Sequence, residues 1–135
     1  FWVTKFGIDG FRHDATKHIP EVFWRLLTKK IKTQYPEKSI YQIGETFGNR
    51  ELIADYVGSG MMDGQFDFNL YFDARNCFGN SCCDMKNLAL SLNTSLDYYG
   101  HHNLMGNITG NHDLIRFITY ADKSILPTTF SPPSS

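Results

Sequence analysis

With 135 residues, 41% of them hydrophobic, the chain is long enough for one modest domain with a buried core. Its net charge of −1 argues against a general attraction to nucleic acid or to an anionic membrane, so neither is expected as a partner. No apolar run approaches the roughly 18 residues that a bilayer-spanning helix needs.

Residues 6–12 read as a short buried strand. A helix follows, in which Ile19, Val22, Phe23, Leu26, Leu27 and Ile31 recur at helical spacing and form the expected core face. Pro20 suits its first turn, Glu21 and the later Lys29, Lys30 and Lys32 match the helix dipole, and Pro36 blocks continuation. Residues 39–44 make a second strand. Asn49 is placed to cap a helix carrying Leu52, Ile53, Tyr56 and Val57, with Gly58 as its stop. Residues 64–68 are a third strand. Asp84 caps a longer helix whose apolar stripe is Met85, Leu88, Leu92, Leu96 and Tyr99. Residues 104–109 read as a fourth strand, and 114–120 begin a last helix.

Cys77, Cys82 and Cys83 crowd one loop-like stretch. They read either as one disulfide from Cys77 to Cys82 or Cys83, in a secreted protein, or as free thiols in an insertion. No further Cys or His stands at ligand spacing, so a zinc site is not expected.

Regular alternation of strand and helix with short connections implies the α/β class, a parallel sheet with helices outside. Four such units are half of a (β/α)8 TIM barrel, which takes roughly 250 residues. The chain opens at Phe1 in mid-pattern and closes on Ser131-Pro132-Pro133-Ser134-Ser135, so it reads as a segment: residues 1–120 as barrel, 121–135 as a tail. A doubly wound open sheet is the alternative. It would carry a Gly-rich turn after a strand, whereas Gly58-Ser59-Gly60 follows a helix, and no P-loop pattern is present.

Three acids stand at or just after the expected strand ends: Asp14 after Gly10-Phe11-Arg12-His13, Glu45 after Gly44, and Asp113 after Gly110-Asn111-His112. Acids at the C-terminal ends of barrel strands are how that fold builds an active site, and a carboxylate pair is the equipment for cleaving a glycosidic bond. A single Asp after a strand is ordinarily a helix cap; three in Gly-flanked settings are not explained that way. Side chains alternate along a strand, so Arg12 shares a face with Asp14 and would keep it ionised. Phe47 could shield Glu45, and partial desolvation would raise its pKa to that of a proton donor. His13 and His18 flank Asp14, and His101-His102 falls in a turn; each histidine reads first as a structural hydrogen-bonding group.

Gly10-Phe11-Arg12-His13-Asp14-Ala15-Thr16-Lys17-His18 resembles the GFRxDxxKH motif of the α-amylase family, glycoside hydrolase family 13. Ile43-Gly44-Glu45-Thr46-Phe47 resembles its GE motif after the fifth barrel strand, and Gly110-Asn111-His112-Asp113 its NHD motif after the seventh. The resemblance implies a partial barrel covering about strands 4 to 7. It implies Asp14 as nucleophile, Glu45 as acid and base, and Asp113 as the acid that favours the distorted, oxocarbenium-like sugar. Arg12 would hold Asp14, His112 would bond the same ring, and Lys17 and His18 would face the leaving group. The implied substrate is an α-1,4-glucan or maltooligosaccharide, cleaved with retention. The backbone carbonyl of His18 would ligate a structural calcium, with its other ligands upstream of Phe1, and no organic cofactor is implied. The isolated chain is expected to be marginally stable and inactive. A transglycosylase or cyclomaltodextrinase, or a non-catalytic glucan-binding relative, are the other readings.

Overall fold

The computed structural model describes residues 1–58, 60–79 and 84–124. In chain order the elements are α1 (Trp2–Phe6), β1 (Gly10–His13), a 3-10 turn (Thr16–His18), α2 (Glu21–Gln34), β2 (Tyr41–Gly44), α3 (Arg50–Ala54), β3 (Gly64–Gln65), α4 (Phe68–Gly79), α5 (Met85–Tyr99) and α6 (Phe117–Ala121). The strands form one parallel sheet in the order β1-β2-β3. β1 pairs Gly10 with Tyr41 through His13 with Gly44, and β2 pairs Ile43 and Gly44 with Gly64 and Gln65. This three-stranded parallel α/β sheet is consistent with part of the expected barrel.

The local reasons are those of the sequence. Asn49 accepts from the Leu52 N–H at 2.9 Å and starts α3, and Asp84 accepts from the Lys86 N–H at 2.9 Å and starts α5. Pro20 precedes the first residue of α2, and α2 ends before Pro36.

The sheet presents two faces. On β2, Gln42 and Gly44 are buried, while Tyr41 and Ile43 are half-buried on the other side. The buried side carries the helices: the His13 ring lies against Trp24 of α2 at 4.9 Å, and the Gln42 amide donates to Thr28 of α2 at 3.0 Å. Trp24, Tyr56, Met61 and Met62 form one apolar cluster there, and Val3, Ile31 and Ile40 another. A third cluster, Phe68, Tyr71 and Phe72, belongs to α4.

Several expectations change. The fourth strand is a single parallel bridge, Phe66 with Gly106, in which Gly106 N–H donates to Gln65 at 2.9 Å and Asp67 N–H to Gly106 at 3.1 Å. β3 is only two residues long, so it offers no longer edge to pair with. The first strand, expected over 6–12, runs only from Gly10 to His13, with Phe6 closing α1, and residues 68–79 form a helix where a strand end and a loop were expected. α6 begins at Phe117, later than 114. The buried face of α2 is Trp24, Thr28 and Ile31, with Leu27 packed beside it, while Ile19, Val22, Phe23 and Leu26 are exposed. α5 buries Ser95 and Tyr99 and leaves Met85, Leu92 and Leu96 exposed; its buried Ser95 meets Arg50 of α3 and Asp67 just before α4.

Cys77 is disulfide-bonded. Cys82 and Cys83, the two partners considered, lie outside the described residues, as does the tail from 125 onward. Among the described residues no helix is long and apolar enough to cross a membrane.

Candidate active site

The β1–β2 ladder closes on His13 and Gly44, so Asp14 and Glu45 are the next residues of two neighbouring parallel strands. Adjacent strands lie about 4.8 Å apart, and side-chain alternation points Arg12, Asp14 and Glu45 to the face away from the helices. Gly44 has to be glycine here: a Cβ would run into Gln65, Met62 and Thr16.

Arg12 donates one N–H to Asp14 at 2.6 Å and another to Glu45. The two acids differ in setting, with side-chain exposures of 73% for Asp14 and 13% for Glu45. The hydrogen bond from Arg12 is the main cause that holds the Asp14 carboxyl below the usual carboxylate range, with a hydrogen bond to Glu45 next. Asn111 donates to the second oxygen of Glu45 at 3.4 Å, and its own carbonyl oxygen accepts from the Asp113 N–H at 2.9 Å. His112 pairs with Asp113 at 3.2 Å.

A cavity of about 280 Å³ opens beside Glu45, and Lys17, His18, Asn111 and Asp113 share its wall with Ala15, Phe47, Phe68 and Leu114. Lys17 reaches across to the Phe47 carbonyl at 2.8 Å. The Phe47 ring is held edge-on by Phe68 at 5.1 Å and Phe72 at 6.0 Å, giving the cavity an aromatic side.

The structure therefore brings Arg12, Asp14 and Glu45 into direct contact, and gathers Glu45, Asp113, Lys17 and His18 around one space. Asp14 and His112 are exposed and are not among the residues lining that cavity. Two further groups touch the pair: Thr16, which hydrogen-bonds the Glu45 backbone, and Asn111. Both lie inside the segments 10–18 and 110–113 that carry Asp14 and Asp113, and only the fold reveals their contacts.

A parallel sheet carrying an acid just past the ends of two neighbouring strands, joined by one guanidinium, is built as barrel-type glycoside hydrolases are. A model of the α-amylase catalytic domain matches residues 1–129. Alpha-amylase 2 of Schizosaccharomyces pombe is 35% identical over 115 residues, covering 84% of this chain and 18% of that protein. The cyclomaltodextrin glucanotransferase of Niallia circulans is 30% identical over 118 residues, covering 85% of this chain and 16% of that protein. The crystal structure of the Geobacillus thermoleovorans α-amylase, complexed with acarbose, superposes with a TM-score of 0.81 at 28% identity, covering 90% of this chain and 27% of that one. The chain belongs to the α-amylase family, glycoside hydrolase family 13. It spans 18% and 16% of the length of these two relatives.

Proposed function

We propose that this chain is the strand 4 to strand 7 part of the catalytic barrel of a retaining α-glucan hydrolase, cleaving α-1,4 bonds of starch or maltodextrins. The observation that carries the reading is the Arg12 bridge between Asp14 and Glu45 at adjacent strand ends. It supports a carboxyl separation near the roughly 5–5.5 Å that retention needs, too short for an intervening water.

In this reading the ionised Asp14 attacks the anomeric carbon as the glycosidic C–O bond breaks, and Glu45 gives its proton to the leaving oxygen. Water then attacks the glycosyl–Asp14 ester, Glu45 takes the water proton, and Asp14 leaves as carboxylate. Asp113 and His112 bind the distorted ring, and Lys17 and His18 face the leaving sugar. The low-lying pKa of Asp14 supports the nucleophile role, because only the ionised form attacks.

A structural calcium would take the His18 carbonyl as one of its roughly six to eight oxygen ligands. Among the described residues no group of three or more His, Cys, Asp or Glu could hold a metal ion. In this reading the other ligands come from outside this segment, and no step is routed through calcium. The isolated chain lacks turnover in this reading, and the exposure of Phe1, Trp2 and Phe6 supports an incomplete wall.

The test is the anomeric configuration of the first product, read by proton NMR in the full-length enzyme acting on maltooligosaccharide. The α-anomer is expected; initial release of the β-anomer would reject the mechanism. The similarity to a glucanotransferase favours one second reading, transfer to a sugar hydroxyl instead of water, which larger oligosaccharide products would reveal.

A further inference from the structure

We propose that Thr16 is a positioning residue for the carboxylate pair, clasping the backbone of Glu45 to the chain on either side of Asp14. This rests on the reading of Asp14 and Glu45 as the reacting groups. Past the His13–Gly44 pairing, two parallel strands ordinarily diverge into their separate loops. Here they stay joined. The Glu45 N–H donates to the His13 carbonyl at 2.9 Å and lies 3.0 Å from the Thr16 hydroxyl oxygen, and the Thr16 N–H donates to the Glu45 carbonyl at 2.8 Å. Both backbone polar groups of Glu45 are thus held by residues that flank Asp14.

The link between those flanks is Ala15, which sits in the left-handed region at φ 45° and ψ 47°. A residue with a Cβ avoids that region unless its surroundings over-determine it. The left-handed turn is what swings Thr16 back against Glu45, and three further contacts hold it there. The Trp24 indole donates to the Thr16 carbonyl at 3.1 Å, the Thr16 hydroxyl donates to the His13 carbonyl at 3.3 Å, and Gly44 leaves the space that the hydroxyl fills. Thr16 is 0% exposed, so it cannot touch a sugar. It acts on the reaction only by setting where the two carboxylates stand. Asp14 needs this, because its exposed side chain is otherwise steered by the Arg12 arm.

Thr16→Val in the full-length enzyme is the decisive variant. It keeps the shape, and the Glu45 N–H keeps the His13 carbonyl, so no buried donor is orphaned. A misplaced reacting group loses rate rather than binding. The expected result is a kcat about ten- to a hundred-fold lower, with KM and thermal midpoint little changed, faster hydrogen exchange at the Glu45 amide, and recovery of kcat in Thr16→Ser. A kcat equal to the parent, no recovery in Thr16→Ser, or a loss matched by an equal loss of folded protein would overturn the proposal. Asp14→Asn runs beside it. If that variant turns over normally, the assignment of the reacting pair fails, and the clasp is then judged by the Glu45 amide alone: faster exchange in Thr16→Val upholds it, and unchanged exchange overturns it.

Discussion

Asp14 and Glu45 share one guanidinium. Arg12 donates to both from separate nitrogens, at 2.6 Å to Asp14, so a single cation spans the ends of two strands. Lysine cannot reproduce a planar fork. Arg12→Lys should lower kcat about a hundred-fold or more while KM changes little. Arg12→Met should also move the acidic limb of the pH–rate profile upward. The sign follows from Asp14: its carboxyl is held low chiefly by the Arg12 hydrogen bond, so removing that bond lets it protonate at higher pH. Steady-state kinetics across pH checks both, and an unmoved acidic limb would contradict the assignment.

Asp14→Asn removes the attacking charge with little change in shape. In the full-length enzyme it should cost on the order of 10⁴-fold in kcat and leave the far-UV circular dichroism unchanged. Near-normal turnover would mean that another group attacks.

His13 contributes a pH dependence of stability. Burial lowers its imidazole below the ordinary histidine value, against the opposing hydrogen bond with Gln42. The unfolded chain therefore binds a proton that the folded chain resists. The stabilisation is complete above about pH 6.5 and is lost as pH falls toward the lowered folded value. Thermal midpoints between about pH 7.5 and 5 should fall more steeply for the parent than for His13→Asn. Parallel curves would count against it.

Asp67 anchors the turn into α4. It is 1% exposed and accepts from Ser95 at 2.6 Å, Tyr99 at 3.3 Å and the Leu70 N–H at 3.0 Å. Burial, and then the Asp67 charge, push the Tyr99 phenol up, so it stays a neutral donor. Asp67→Ala orphans these donors and should destabilise by about 2–4 kcal/mol, read as a lower denaturant midpoint. A change under about 0.5 kcal/mol would show that the donors find other partners.

β1, β2, α2 and α5 were legible as elements through strand pattern, caps and breakers, but the apolar stripes read for α2 and α5 fall largely on exposed faces. The sequence obscured α4, although Phe68, Tyr71, Phe72 and Arg75 recur at helical spacing on its buried face. The obstacle is Arg75, a charge at a core position, which the fold accommodates between the Phe72 and Tyr120 rings, 4.9 Å from each. α1 is five residues of mostly aromatic contact, too short for a periodic signal. The acids were visible because their motifs are local. That Arg12 also reaches Glu45, and that Thr16 and Asn111 touch it, depends on register between strands, which no single segment encodes.

Hydrogen bonds have direction, and apolar contacts do not. The chain from the Met61 carbonyl through Thr28 and Gln42 to His13 runs between α2 and the sheet at 3.0, 3.0 and 3.1 Å. It works as a key in a slot. A greasy interface would let α2 slide or roll over the strands at small cost, but each such movement here breaks a buried polar link. The azimuth of an outer helix is thereby locked to the residue preceding Asp14, so mutations on the far side of α2 can be absorbed without turning the acid away from its partner.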